Sequence, residues 1–168
     1  MLIPGTGRVN IDELFTAHYA GLARVTYRVV GDTATAEELA AEALWKLHRN
    51  PPASDANLVG WLYRTALRLA LDSLKMRRRR ARYESQSPPP CAIPDPEQAA
   101  ARREQEARVR HVLAAIKPEQ SSLLVLRSEG YTLAEIAGLM YLSPNSVGTL
   151  IARAEESFRR EDVKRYGE

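Results

Sequence analysis

The chain has 168 residues, enough for one ordinary domain or two small ones, and its 45% hydrophobic content excludes wholesale disorder. Its formal net charge is only +3, but the basic residues are concentrated in one stretch. The single cysteine, Cys91, excludes an intramolecular disulfide and a cysteine zinc site. The sequence begins without a signal-peptide pattern, and no apolar stretch approaches the roughly 20 residues that cross a bilayer. We therefore expect a cytoplasmic protein without membrane insertion.

Two helices are predicted before residue 52. The first begins near Asn10 and runs to Val30, where Gly31 stops it, and its predicted buried stripe comprises Ile11, Leu14, Phe15, Leu22, Val25 and Val29. A capping box from Thr35 to Glu38 is predicted to open the second helix, and Asn50-Pro51-Pro52 ends it. Its predicted buried residues are Leu39, Ala43, Leu44 and Leu47.

The third predicted helix, LVGWLYRTALRLALDSLKMRRRRARY at 58–83, is about seven turns and roughly 39 Å long. Its predicted stripe comprises Leu58, Trp61, Leu62, Thr65 or Ala66, Leu69, Leu74 and Met76. From Arg64 to Arg82, eight basic residues face one acid, Asp72. A helix C-terminus favours a few cations, but four consecutive arginines exceed that need and indicate a polyanion such as nucleic acid.

Residues 85–97 contain five prolines among thirteen residues, which predicts a semi-rigid linker and a domain boundary. Helices are then predicted from residue 96 or 97 to Ile116 and from Glu119 to Glu129. A second capping box, Thr132 to Glu135, opens a short helix. After a turn, Ser143 and Pro144 are predicted to start the last helix. The two final helices form a helix-turn-helix pattern, which serves either DNA binding or packing alone.

The sequence predicts no enzyme, no metal site and no cofactor. The three histidines, His18, His48 and His111, lie on separate predicted helices without metal-ligand spacing. An acidic face that includes Glu38 and Glu42 either docks on a cationic protein surface or only solubilises the chain, and these alternatives stay open.

The order of these parts resembles an extracytoplasmic-function (ECF) sigma factor of bacterial RNA polymerase, in the sigma-70 family. The segment GDTATAEELAAEAL is similar to the family's G-D-x-x-D-A-E-D-L-V-Q-E-x-F. The segment WLYRTALRLALDSLKMRRRR resembles its W-L-Y-R-I-A-R-N-L-A-I-D-x-L-R-R-R-x-R. Near the C-terminus, YTLAEIAGLMYLSPNSVGTLIARAEESFR resembles its closing helix-turn-helix. The likeness covers about residues 11–84 and 106–160.

The resemblance implies an all-α fold of two small helical domains joined by the Pro-rich linker at 85–97. Residues 10–84 would form a sigma-2-like three-helix bundle, which binds core polymerase and the −10 element. Residues 98–163 would form a sigma-4-like helix-turn-helix domain, which binds the −35 element. The implied function is transcription initiation: binding core RNA polymerase at its clamp and flap regions, selecting promoter DNA and helping to melt the −10 region. Many family members are held inactive by an anti-sigma factor, so we also expect such a partner.

The resemblance also assigns roles to residues. The acidic positions of the clamp-binding motif are Glu38 and Glu42. The −10 residues, from a base-capturing loop and the third helix, are Asn50, Asn57, Trp61, Arg64, Arg68, Lys75, Arg77, Arg78, Arg79 and Arg80. The −35 residues, at the start of the last helix, are Ser143, Asn145, Ser146, Thr149 and Arg153.

The sequence departs from the family pattern at several positions. Ala41 stands where the family has glutamine, and Leu67-Arg68 replaces its Arg-Asn pair. In the last helix, lysine and two arginines of the family are replaced by Gly148, Leu150 and Glu155. These departures leave two alternatives. One is a degenerate sigma-like protein that binds polymerase or an anti-sigma factor without initiating transcription. The other is a general nucleic-acid-binding regulator that uses the arginine run alone.

Overall fold

The computed structural model describes residues 10–53, 57–83 and 97–167, and over these ranges it contains helices and no strand. The helices are α1 (Ile11–Val30), α2 (Thr33–Arg49), α3 (Leu58–Tyr83), α4 (Glu97–Ala115), α5 (Pro118–Ser128), α6 (Leu133–Met140) and α7 (Pro144–Tyr166). The all-α prediction is confirmed. Cys91 and all but the last residue of the predicted linker lie outside the described residues. None of these helices is both long and apolar enough for a membrane span.

Local capping explains where α1 begins and ends, as predicted. The Asn10 side chain accepts hydrogen bonds from the backbone N–H groups of Asp12 and Glu13. At the other end, Gly31 adopts a left-handed conformation with φ of 70° and donates its N–H to the Tyr27 carbonyl at 2.8 Å. Glycine adopts this conformation without the steric penalty of a Cβ, so the chain turns here.

One of the two predicted capping boxes is wrong. The helix α2 begins at Thr33, three residues before the start that a cap at Thr35 would give, because the Asp32 carboxylate caps it by accepting the Thr35 backbone N–H at 2.9 Å. Hydrogen bonds from Thr35 hold the pKa of Asp32 below its usual value. The second box is confirmed: Thr132 donates its N–H to Glu135 Oε2 at 2.7 Å and its hydroxyl accepts the Glu135 N–H at 3.3 Å.

The first three helices pack on one another as a bundle. The four predicted core residues of α2 are all buried, as are Leu22, Val25 and Val29 of α1. Two predicted core residues are wrong. Phe15 is 46% exposed and stacks on Tyr19 with ring centroids 4.7 Å apart, and Met76, in the cationic half of α3, is 55% exposed.

Helices α4 to α7 form the second group. An ion pair joins its first and last helices, because Arg108 donates Nε and a terminal nitrogen to the two Asp162 oxygens at 2.7 and 2.6 Å. Such a two-point pair fixes geometry as well as distance. The predicted helix-turn-helix is present as α6 and α7, and the turn is made by Tyr141 in a left-handed conformation with φ of 58°. Ser143 and Pro144 start α7 as predicted, although the Ser143 side chain makes no capping hydrogen bond.

The two groups share one continuous core, which the sequence did not predict. The helix α3 contacts α1 and α2 within its own bundle and also α4, α5 and α6 of the second group. Besides the predicted stripe, it buries Tyr63, Leu67, Ala70 and Leu71. This helix is therefore covered on more than one side.

Replacing Leu62, which has no exposed surface, tests this core. We expect Leu62→Ala to lower the free energy of unfolding by about 3 kcal/mol, because burial is lost and a cavity remains. Urea unfolding followed by circular dichroism measures this change. The matched control is Leu133→Ala, at a side chain that is 43% exposed, for which about 0.5 kcal/mol is expected. Equal losses for the two variants would contradict the assignment of Leu62 to the core.

Candidate nucleic-acid interface

The predicted −10 residues do not share one environment in the structure. Arg68, Arg79 and Arg80 are exposed on α3, and Lys75 is half-buried. Asn50 is exposed at the end of α2, and the loop that follows is described only to residue 53. Trp61 is half-buried and packs against the core.

Asn57 and Arg64, two predicted −10 residues, contact the helix-turn-helix instead of lying free. Asn57 accepts the Gly60 N–H at 2.8 Å and donates its side-chain N–H to the Gly138 carbonyl at 2.6 Å. Arg64 donates to the Leu139 carbonyl at 2.7 Å, and its guanidinium lies 5.0 Å from the centre of the Tyr141 ring. Burial lowers the pKa of Arg64. The carbonyls at the end of α6 thus satisfy side chains of the first bundle.

Two further contacts connect the groups near this point. The Tyr131 hydroxyl donates to the Tyr63 hydroxyl at 2.9 Å, and burial together with this hydrogen bond raises the pKa of Tyr63. Glu129 accepts from Arg28 Nε at 2.5 Å and lies 3.8 Å from Arg24 Nε. None of these contacts was predicted from the sequence. Tyr63, Leu67 and Ala70 recur at intervals of three or four positions beside the predicted stripe, and this spacing was the available signal for Tyr63.

The arginine run divides between two roles. Arg77 donates to the Thr35 hydroxyl and to the Val30 carbonyl, and thereby joins α3 to the α1–α2 turn. Arg78 donates to the His111 carbonyl on α4 at 3.3 Å. Burial and the neighbouring Arg165 and Arg82 lower the pKa of Arg78. Because Arg77 and Arg78 contact protein, Arg79 and Arg80 are the more accessible arginines for phosphates.

The predicted −35 residues do lie together. Asn145, Thr149 and Arg153 follow one another at four-residue intervals on α7 and are exposed, so they present one stripe of polar groups. Ser143 is exposed at the N-cap, whereas Ser146 is half-buried and donates its hydroxyl to the Ser143 carbonyl at 2.9 Å. Three of the five residues therefore form a continuous exposed row on the second helix of the motif.

The acidic face of α2 is also accessible. Glu38 is exposed and Glu42 is half-buried, and Glu42 pairs with Lys46 at 3.4 Å, an exposed pair on one helix. Exposed pairs of this kind contribute little to stability, so Glu42 remains available to a partner's cation at small cost. Over the described ranges, no group of three or more potential ligands is placed to hold a metal ion.

Two family models match the chain. The model of sigma-70 region 2 matches residues 14–80, and that of sigma-70 region 4 matches residues 106–157. Among curated relatives, the ECF RNA polymerase sigma factor SigE of Mycolicibacterium smegmatis is 29% identical over 156 residues, which cover 88% of this chain. The chain spans only 60% of the length of that relative. The ECF RNA polymerase sigma factor SigM of Mycobacterium tuberculosis is 26% identical, with coverage of 91% and 77%.

A similar fold is found among solved structures. The sigma factor RpoE in complex with the anti-sigma factor NepR from Bartonella quintana aligns with a TM-score of 0.52, over 90% of this chain and 96% of that one. The sequences are 14% identical, so this likeness concerns the fold alone.

The hydrogen bond between the two tyrosine hydroxyls gives a direct test of the contact between the helical groups. We expect Tyr131→Phe to lower the free energy of unfolding by about 1 kcal/mol, because the Tyr63 hydroxyl loses its partner in a half-buried site. Tyr27→Phe, at a ring that is 45% exposed, is the control. A double-mutant cycle with Tyr63→Phe measures the coupling. Strictly additive losses would show that the hydroxyls do not meet in solution.

Proposed function

The chain belongs to the ECF group of the sigma-70 family, and from this we propose that it binds core RNA polymerase, directs it to particular promoters and helps to melt the −10 region. The joint match of regions 2 and 4, in that order along one chain, carries the proposal. We assign core and −10 binding to residues 10–84, a linker to 85–97 and −35 binding to 98–163. Sigma factors regulate transcription and the polymerase performs the chemistry, so the chain itself needs no catalytic residue or cofactor.

The proposed contact with polymerase uses Glu38 and Glu42 of α2. Both carboxylates lie on an accessible face, which suits docking on a basic helical hairpin of the clamp. The second domain would contact the flap region. The chain matches both region 2 and region 4, so the comparisons do not favour the degenerate sigma-like protein or the general nucleic-acid-binding regulator.

The proposed contact with DNA has two parts. Lys75, Arg79 and Arg80 would bind phosphates of the −10 region, and the polar row of α7 would reach −35 base edges, with asparagine suited to adenine. Asn57 and Arg64 would serve the separated strand once their hydrogen bonds to α6 are broken. Promoter binding therefore requires the two helical groups to separate at this contact.

We further propose regulation by an anti-sigma factor in the cytoplasm, where promoters and polymerase are found. The related fold of RpoE is described in complex with an anti-sigma factor, which supports this class of partner.

Reconstituted transcription tests the function directly. The purified chain, mixed with core polymerase and a promoter library, is expected to start transcripts at a defined subset of templates. Core binding is measured separately by a pull-down assay. Core binding without any template-specific initiation would favour a degenerate sigma-like protein, and binding to DNA that is indifferent to core would favour a general regulator.

Charge reversal on α2 tests the core contact. We expect Glu38→Lys and Glu42→Lys each to weaken core binding by about tenfold or more, because a cation would replace the anion that pairs with the clamp. The matched control is Glu104→Lys, the same charge change at an exposed position of α4. Binding constants come from fluorescence anisotropy of labelled chain. Equal affinities for all variants would remove α2 from the polymerase interface.

The salt dependence of promoter binding tests the phosphate contacts. Each of Arg79→Gln and Arg80→Gln is expected to reduce the slope of log affinity against log salt by about 0.9, the value for one lost phosphate contact on duplex DNA. The measurement is filter binding of holoenzyme to one promoter at salt concentrations from about 50 to about 200 mM. Arg102→Gln, an exposed charge on α4, is the control. An unchanged slope in the α3 variants would place these arginines away from DNA.

A further inference from the structure

A crevice with a basic lining separates the C-terminal half of α3 from α4. Its volume is about 690 Å³, within the range of small-molecule sites. Its basic side chains come from both helical groups and are Arg77, Arg78, Arg82, Arg110 and His111. Arg78 and Arg82 are four residues apart on one face of α3, and Arg110 and His111 of α4 also line the crevice, so both helices contribute basic side chains to it.

The cations of the crevice are crowded. Burial, Arg78 and Arg165 lower the pKa of His111. The pKa of Arg78 is lowered in the same way by burial, Arg165 and Arg82. Three carboxylates lie near these cations. Glu106 accepts a hydrogen bond from Arg110 at 3.4 Å, and a carboxylate oxygen of Asp32 lies 3.9 Å from a guanidinium nitrogen of Arg77. Glu161 attracts Arg78 electrostatically. The arginines thus outnumber the carboxylates in a partly desolvated place, where an anion would relieve the repulsion between the guanidinium groups.

Arg110 is also incompletely satisfied by the protein. Over the described ranges, its Nε is the one buried side-chain nitrogen or oxygen without a hydrogen-bond partner. The guanidinium lies against Gly31, where a Cβ would come within 2.2 Å of its central carbon. Because Gly31 has no Cβ, the Arg110 guanidinium can pack against its backbone. Buried polar groups without partners are rare and commonly mark a site for a water or an ion.

The rest of the lining is apolar, and this narrows the class of ligand. Leu74 and Ala81 of α3 and Ala107 of α4 complete the wall. A simple anion would use the arginines but leave this apolar surface uncovered. A nucleotide has both a phosphate chain for guanidinium groups and a planar base for an apolar surface.

We propose that this crevice binds a nucleoside di- or triphosphate, with the phosphates on the arginines and the base on the apolar wall. Arg82, Arg110 and His111 are outside the proposed promoter contacts, so the site does not depend on DNA binding. Because the ligand would contact both α3 and α4, it would stabilise the packed arrangement that engages Asn57 and Arg64. Stabilising this arrangement would oppose promoter binding, and that consequence rests on the proposed function. The binding of the nucleotide itself does not.

Titration of the full-length chain with ATP and GDP, followed by calorimetry and thermal unfolding, tests the site without polymerase or DNA. We expect saturable binding of one nucleotide per chain and a rise in Tm. Sodium sulfate at equal ionic strength should produce neither. Arg82→Gln and Arg110→Gln should each weaken binding by about tenfold, as expected for loss of a charge-assisted hydrogen bond. Arg159→Gln, an exposed charge on α7, is the matched control and should bind as the wild type does.

Several outcomes would overturn the proposal. One is an equal Tm shift with sulfate, and another is unchanged affinity in Arg82→Gln, an exposed position where misfolding is not expected. Inorganic tripolyphosphate that binds as tightly as ATP would show that the base makes no contact. A short single-stranded oligonucleotide that displaces ATP and binds more tightly through Arg82 and Arg110 would identify the crevice as a surface for a nucleic-acid backbone instead.

Discussion

The structure depends on the way α3 is buried on more than one side. A helix in a three-helix bundle needs one apolar stripe, but α3 adds Tyr63, Leu67, Ala70 and Leu71 to its predicted stripe. Burial of each large apolar side chain contributes roughly 1.5–3 kcal/mol, and Tyr63 of this set packs against Tyr131 of the second helical group. The same helix ends in a cationic half, in which Arg79 and Arg80 are exposed. One element therefore determines both how the groups pack and where nucleic acid would bind.

If Asn57 and Arg64 bind promoter DNA as proposed, that binding and their contact with α6 exclude each other. The amide of Asn57 and the guanidinium of Arg64 donate to the last carbonyls of α6, and the same donors are the ones proposed for a separated strand. Each such hydrogen bond has a net contribution of about 1 kcal/mol, and those of charged groups about 1.5–3 kcal/mol. Separating α3 from α6 at this point would therefore cost on the order of a few kcal/mol.

Two residues in the left-handed region lie next to contacts between the helical groups. Gly31 ends α1 and admits the Arg110 guanidinium, so glycine is needed there for space as well as for conformation. Tyr141 adopts φ of 58° although it has a Cβ, and its ring lies against Arg64. A left-handed non-glycine residue carries some strain, which the ring contact and the α6–α7 turn offset.

The sequence by itself determined the local features of this protein. Helix bounds followed from Asn10, Gly31 and Thr132 because capping acts between residues a few positions apart, and the motifs of regions 2 and 4 are local in the same way. Even there, Asp32 caps α2 in place of the predicted Thr35. The two residues lie within one turn, and the sequence does not show which side chain accepts the first free backbone N–H groups. Only the tertiary structure decided which face of α3 meets the second group and which arginines contact protein. Those outcomes depend on residues as far apart as Arg64 and Leu139, and periodicity shows that a face is apolar without showing what covers it.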